Sequence, residues 1–365
     1  MTNNNIEQLL QDISKKINIS ETAYSKYLEF SNIIKKEYPE SEFSIYPQGS
    51  VRLGTVIKNY TDDETEAYDI DIILKYKSNE CLNPQQLKKS TNPSENNLYY
   101  KFEDIKEKKP CWFLKKNGFS IDLTPAIKSD DDTNLAYEEY DLYITRTEDY
   151  KNYQFKNSNP IGYYRWFKKI NQRQYDKEFK ALISMGIEKD KIIKQLVRTN
   201  LQKSIQVLKY LRDMYFYSHC PYKEYKPASI IITTLVTSIY EQFEKNYYKY
   251  EFLTIYEIII YFIYVCNNLE NNKNINFSKE ELGVLNPIKE LLNEDNKWNL
   301  PNPTDRGENF MDRWNKNEHD EKKYEKSFFE WIEYLNNIFE SEERLKNIIF
   351  PKEIKDINIV KPYGY

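Results

Sequence analysis

The pattern of apolar and polar positions changes period along the chain. Ile6, Leu10, Ile13 and Ile17 recur at helical spacing and predict an amphipathic N-terminal helix. A second helix is expected from Ser20, a side chain suited to an N-cap, with Tyr24, Tyr27, Leu28 and Ile34 on one face. The period then shortens to two. Tyr68, Ile70, Ile72 and Leu74 alternate with Asp69 and Asp71, and Phe119, Ile121 and Leu123 alternate with Ser120, Asp122 and Thr124, so both segments predict strands. A further strand is expected to lead into Gln48, with a helix opening after Ser50. Trp112-Phe113-Leu114 and Ser120-Ile121-Asp122 flank Asn117-Gly118, a strong hairpin signal, and Lys108-Lys109-Pro110 reads as a turn before it. The polar stretch from Tyr76 to Tyr99 holds Pro84 and Pro93 and is expected to be partly loop. Asp130-Asp131-Asp132 reads as a solvated acidic loop. From Pro160 onward helical periodicity dominates. The apolar run from Tyr256 to Cys266 is interrupted by Glu257 and too short for the ~20 residues of a membrane span, so it predicts a buried helix.

Candidate chemistry sits where the period is two. Positions i and i+2 of a strand share a face, so Asp69 and Asp71 project together. If their strand pairs with the one carrying Asp122, three carboxylates meet. Such a cluster repels itself unless cations neutralise it. Oxygen ligands of this kind suit Mg²⁺, with Mn²⁺ as the alternative. Two ions roughly 3.5–4 Å apart can clamp both the attacking and the leaving oxygen of a displacement. The run Gln48-Gly49-Ser50-Val51-Arg52-Leu53-Gly54-Thr55 supplies a glycine-punctuated turn. Gly49 permits close backbone approach, and the Ser50 hydroxyl with successive backbone N–H groups offers an anion site for a triphosphate. Taken singly, an Asp-x-Asp is usually the polar face of an edge strand and a Gly-Ser is a turn. Their ordered combination is far more specific.

The chain resembles the DNA-polymerase-β-like nucleotidyltransferases, and within them the bacterial CD-NTases, relatives of cyclic GMP–AMP synthase and oligoadenylate synthase. Beyond the turn and the three aspartates, four segments carry the resemblance: Asn159 to Phe167, Leu208-Lys209-Tyr210-Leu211-Arg212-Asp213, Lys226-Pro227-Ala228-Ser229, and Asn302-Pro303 through Trp314. The resemblance implies an α/β (α+β) fold with a mixed-sheet catalytic core over residues 1–158 and a helical lobe over 159–365 that closes the nucleotide cleft. It implies a cyclic di- or trinucleotide made from NTPs (ATP, GTP or pyrimidine NTPs) that activates a downstream effector in anti-phage defence. Gln48, Gly49, Ser50, Lys209 and Ser229 would hold the donor triphosphate. Asp69 and Asp71 would ligate both metals, and Asp122 would complete the one that activates the incoming hydroxyl. The tail Ile357 to Tyr365 is a candidate for conjugation by, or regulation through, a partner, although a frayed or packed terminus is the commoner outcome.

Composition narrows the choice. A chain of 365 residues is long enough for two lobes. Net charge −4 and a pI of about 5.7 give no broad basic field for nucleic acid. The 33 tyrosines fit a low-GC coding bias as well as a function. The four cysteines, Cys81, Cys111, Cys220 and Cys266, lack metal-ligand spacing, and without a signal peptide a reduced, cytoplasmic protein is expected. With only His219 and His319, neither a zinc-dependent DNA-sensing element nor histidine acid–base chemistry is expected. Two alternatives share the residues: a linear oligonucleotide synthase or acceptor-modifying transferase of the same fold, and an inactive nucleotide-binding scaffold. The acidic pI speaks against a tRNA acceptor, and the intact carboxylates against an inactive protein.

Overall fold

The computed structural model describes residues 2–58, 60, 68–77, 82–116, 118–129, 140–189, 197–220, 222–247, 252–271, 297–316 and 318–349. The acidic run from Asp130 and the C-terminal tail lie outside them, as does Asn117 of the hairpin turn.

The helical periodicity at the start becomes α1 (Thr2–Ile17), with Ile6, Leu10, Ile13 and Ile17 all buried. The second helix, α2, spans Ser20–Glu37, but Ile19 occupies the cap position and Ser20 lies inside the helix, buried. Its inward stripe is Ala23, Tyr27, Phe30 and Ile34, spaced at 4, 3 and 4 residues, whereas Leu28 is 46% exposed. Leu28 is one position off that stripe, which is enough to turn it to solvent.

The period-two segments form a mixed seven-stranded sheet from β1 (Phe43–Pro47), β2 (Asp69–Tyr76), β3 (Asp104–Glu107), β4 (Trp112–Lys116), β5 (Phe119–Lys128), β6 (Leu142–Thr147) and β7 (Tyr153–Ser158). The order runs β1-β2-β5-β4-β3, and β6 pairs with the far end of β5 and with β7. Only β2 and β5 are parallel. The expected β4–β5 hairpin forms, with Gly118 at φ +85. The strands β6 and β7 were not anticipated: their residues alternate poorly, reading buried, intermediate and exposed without a clean period. The stretch after Tyr76 also holds more structure than a loop. Asn83 and Gln86 form a reciprocal capping box, with Pro84 at the first turn of α4 (Pro84–Ser90).

One face of the sheet carries Ile70, Ile72, Leu74, Ile121 and Leu123, which pack on the α2 stripe. The other face presents Asp69, Asp71 and Asp122. A single step along β2, from Ile70 to Asp71, thus separates core from site.

From Pro160 onward the described residues form the α-helices α5 (Pro160–Ser184), α6 (Asn200–Ser218), α7 (Ser229–Tyr247), α8 (Ile255–Asn271), α9 (Glu318–Phe339) and α10 (Glu342–Ile349). They share one core, in which Ile258, Ile259, Phe262 and Cys266 of α8 are buried. No helix among the described residues is long and apolar enough to cross a membrane. α1 packs into this helical core rather than onto the sheet. A short pair, β8 (Pro301–Asn302) and β9 (Asp305–Asn309), interrupts the helices. Asn309 fixes it by accepting from the Leu300 and Met311 amides and donating to the Trp298 carbonyl, and Trp298 stacks edge-on with buried Trp314.

Candidate active site

The parallel register of β2 and β5 sets Asp71 directly opposite Asp122, and Asp69 opposite Ser120. Each carboxylate has a different environment. Asp69 is exposed and accepts the Ser120 hydroxyl. Asp122 accepts from the Lys108 ammonium at 3.0 Å. Asp71 is deepest, and burial, then Asp122, then Asp69, push its carboxyl up to about 7.

The turn comes to Asp71 through the backbone. The Gln48 amide donates to the Asp71 carbonyl at 2.9 Å, and the Gln48 side chain reaches Thr124 Oγ1. Gly49 opens α3 (Gly49–Leu53) at φ +57, and a β-carbon there would collide with the Asp71 carboxylate. Only glycine satisfies both the left-handed backbone and that space. Gly54, at φ +68, closes the same short helix, and the Thr55 amide returns to the Ser50 carbonyl.

α6 supplies charge from below. Its start is fixed by a Thr199–Gln202 capping box. Lys209 lies on the buried part of this helix, not on a solvated face, and its Nζ donates to the Thr55 carbonyl at 2.8 Å. Burial and neighbouring Arg212 bring its ammonium down to about 8, while Asp213, Asp71 and Asp69 pull the other way. Arg212 is buried too. It pairs with Asp213 at 2.7 Å and donates to the Pro227 carbonyl and to Ser229 Oγ, and Lys226 completes the network on Asp213 at 3.1 Å. The segments 208–213 and 226–229 therefore meet as one knot that joins α6 to α7. Ser229, singled out in the sequence, is bonded to Arg212 in this structure.

Beside Asp71 opens a cavity of about 240 Å³, lined among others by Gln48, Gly49, Arg52, Tyr164, Asn302 and Glu308. A larger one of about 720 Å³ shares Ile230, Glu308 and Phe310 with it. Glu308 ties β9 to β7 through Lys156 at 3.0 Å and accepts from Asn302. Arg52 lies 4.6 Å from the Tyr164 ring centroid and was not separated from its turn in the sequence. Lys108 read only as a turn residue, because nothing in a sequence says which strand a turn will overhang.

The donor set fits hard divalent cations in kind: three carboxylates on adjacent strands, one of them deep and without a side-chain donor among the described residues. As the side chains stand, no three His, Cys, Asp or Glu among the described residues surround a single point; Ser120 bonds to Asp69 and Lys108 to Asp122.

Sheet, turn and carboxylates come together at one place in the fold. Residues 1–171 match the SMODS family, the Second Messenger Oligonucleotide or Dinucleotide Synthetase domain. The chain is 26% identical over 347 residues to a c-di-GMP synthase of Roseivirga ehrenbergii, covering 91% of this chain and 78% of that protein. Its fold is similar to that of the CD-NTase CdnG of Bradyrhizobium diazoefficiens, solved in complex with GTP (TM-score 0.64, 15% identity, 93% of this chain and 94% of that one). It is similar as well to CdnC of E. coli MS115-1 in its complex with HORMA-deltaN (TM-score 0.57, 11% identity, 96% and 97%). The family match thus covers just under half of the chain, and the fold over nearly its whole length is similar to that of solved CD-NTases.

Proposed function

We propose that this protein joins NTPs into a cyclic di- or trinucleotide second messenger. The observation that carries the reading is the register of β2 and β5, which sets Asp71 against Asp122 beneath a glycine turn. Mg²⁺ or Mn²⁺ held by Asp69, Asp71 and Asp122 would supply charge neutralisation and an activated acceptor hydroxyl. The chain's own residues do the positioning. Gln48, Gly49 and Ser50 line the donor triphosphate, with Lys209 adding positive charge behind the Gly49–Thr55 turn. Ser229 joins them at the α7 start, where Arg212 holds its hydroxyl. Such catalysis rests on alignment and fixed charge, with little covalent work for the protein. A second transfer in the same cleft closes the ring.

We divide the chain into a residue 1–158 catalytic unit and a 159–365 helical unit; α1, at the start of the first, packs into the core of the second. By family resemblance we place the messenger in bacterial anti-phage signalling, in the cytoplasm, upstream of a nucleotide-activated effector. The complex of CdnC with HORMA-deltaN makes a regulatory protein partner a reasonable expectation here.

Purified protein with all four NTPs and Mg²⁺ or Mn²⁺, treated with phosphatase and read by mass spectrometry, tests the reading. A phosphatase-resistant cyclic product supports it and gives base composition and ring size. Linear product alone moves the assignment to a linear synthase. The pair Asp69→Asn, Asp71→Asn should abolish turnover in a folded protein; full activity there would overturn the site.

A further inference from the structure

Lys108 is built into the carboxylate centre by contacts that a surface lysine does not need. Its Nζ lies 3.0 and 3.4 Å from the two Asp122 oxygens. It also sits 4.1 Å from the ring centroid of Phe113, the residue directly opposite Asp122 on the neighbouring strand. The turn that carries it, between β3 and β4, is closed by the Lys108 amide on the Cys111 carbonyl at 2.9 Å. Beneath that turn lies Lys88 of α4, 1% exposed, whose Nζ donates to the carbonyls of both Lys108 and Cys111 at 3.1 and 2.9 Å. The Glu107 carboxylate lies 4.0 Å away and the Trp112 ring centroid 5.0 Å away. Burying a lysine is costly unless its donors are used. Here they are used to fix the backbone from which Lys108 reaches Asp122.

We propose that Lys108 is the resident counter-ion of the carboxylate centre. Its ammonium holds Asp122 in the cation-free enzyme and competes with an incoming divalent cation for that carboxylate; Lys88 is the positioning residue that keeps the turn over the site. The inference rests on Asp69, Asp71 and Asp122 being cation ligands. It makes the site open to metal only when the cation outcompetes a fixed positive charge. The empty centre is meanwhile spared the full repulsion of three carboxylates.

The test is a Mn²⁺ titration of the nucleotide-free full chain, read by calorimetry and by thermal shift. Lys108→Met should bind Mn²⁺ about 3- to 5-fold more tightly than wild type, the scale of one partly exposed ion pair. Lys108→Arg, which keeps the charge, should return the midpoint to the wild-type value. Equal midpoints for wild type and Lys108→Met overturn the proposal. Lys88→Met should shift the midpoint in the same direction as Lys108→Met, and an unchanged midpoint removes its positioning role. Asp122→Asn separates the two layers of inference. If it leaves Mn²⁺ binding intact, the ligand assignment fails; if it weakens binding while Lys108→Met changes nothing, only the counter-ion role fails.

Discussion

Gly49 abuts Asp71: at φ +57 its backbone runs so close to the carboxylate that no β-carbon fits between them. The contact joins the glycine turn to the deepest of the three acids. It predicts that Gly49→Ala displaces both. Turnover should fall by about 100-fold, the scale of an ångström-sized misplacement. Stability should fall by only about 1–2 kcal/mol, the cost of alanine in the left-handed region. Product rate and thermal unfolding measured on one preparation check this, and near-normal turnover would show that the turn does not contact the reacting groups.

Asp71 gives the metal-free protein a pH signature. Its carboxyl is raised from 3.8 to about 7 in the folded chain, by burial first and by its two neighbours next. Between about pH 4 and pH 7 the unfolded chain gives up that proton while the fold retains it. The unfolded state then binds fewer protons, so stability falls as pH rises through this window. Asp71→Asn cannot ionise. In chelator it should match wild type at pH 4 and exceed it by about 1–3 kcal/mol at pH 8. Unfolding curves at the two pH values decide it: a difference independent of pH would mean Asp71 is not raised.

The knot between α6 and α7 is expected to dominate local stability. Arg212→Ala removes the close partner of buried Asp213 and orphans the Pro227 carbonyl, and it should cost about 3–5 kcal/mol. Ser229→Ala removes one hydrogen bond and should cost about 0.5–1.5 kcal/mol. Denaturant midpoints rank the two, and the reverse order would sink this account of the network.

Lys209→Met separates support from charge. The variant loses the bond to the Thr55 carbonyl, worth about 1–3 kcal/mol of stability. If the ammonium also attracts the triphosphate, KM for NTP rises well beyond what that loss explains. A KM that stays put while stability drops would leave Lys209 as a strut for the turn.

Much of the seven-stranded sheet was legible in the sequence because its central strands have one core face and one polar face. The alternation around Asp69, Asp71 and Asp122 therefore reports orientation directly. β6 and β7 escaped because their inward and outward positions are not chemically distinct. Ser20 misled as a cap, since a serine before an apolar stripe is suited to the cap or to the first helical position, and here its side chain is buried beside Gln206. Lys209 and Arg212 stand three residues apart on α6, and spacing alone does not say whether that side is buried. Burial came from α7, α8 and the Thr55 turn, which no local window contains.

The sequence by itself determined the inventory: which strands bear carboxylates, which turn demands glycine, and which helices have something to bury. These are properties of neighbours along the chain, set by side-chain period and by backbone strain. Only the tertiary structure decided the pairing of β2 with β5 in the register that opposes Asp71 to Asp122, the placing of Lys108 over Asp122, and the closing of the Arg212–Asp213–Lys226 knot. Each depends on elements far apart in the chain, whose meeting is fixed by shape and burial rather than by any local signal.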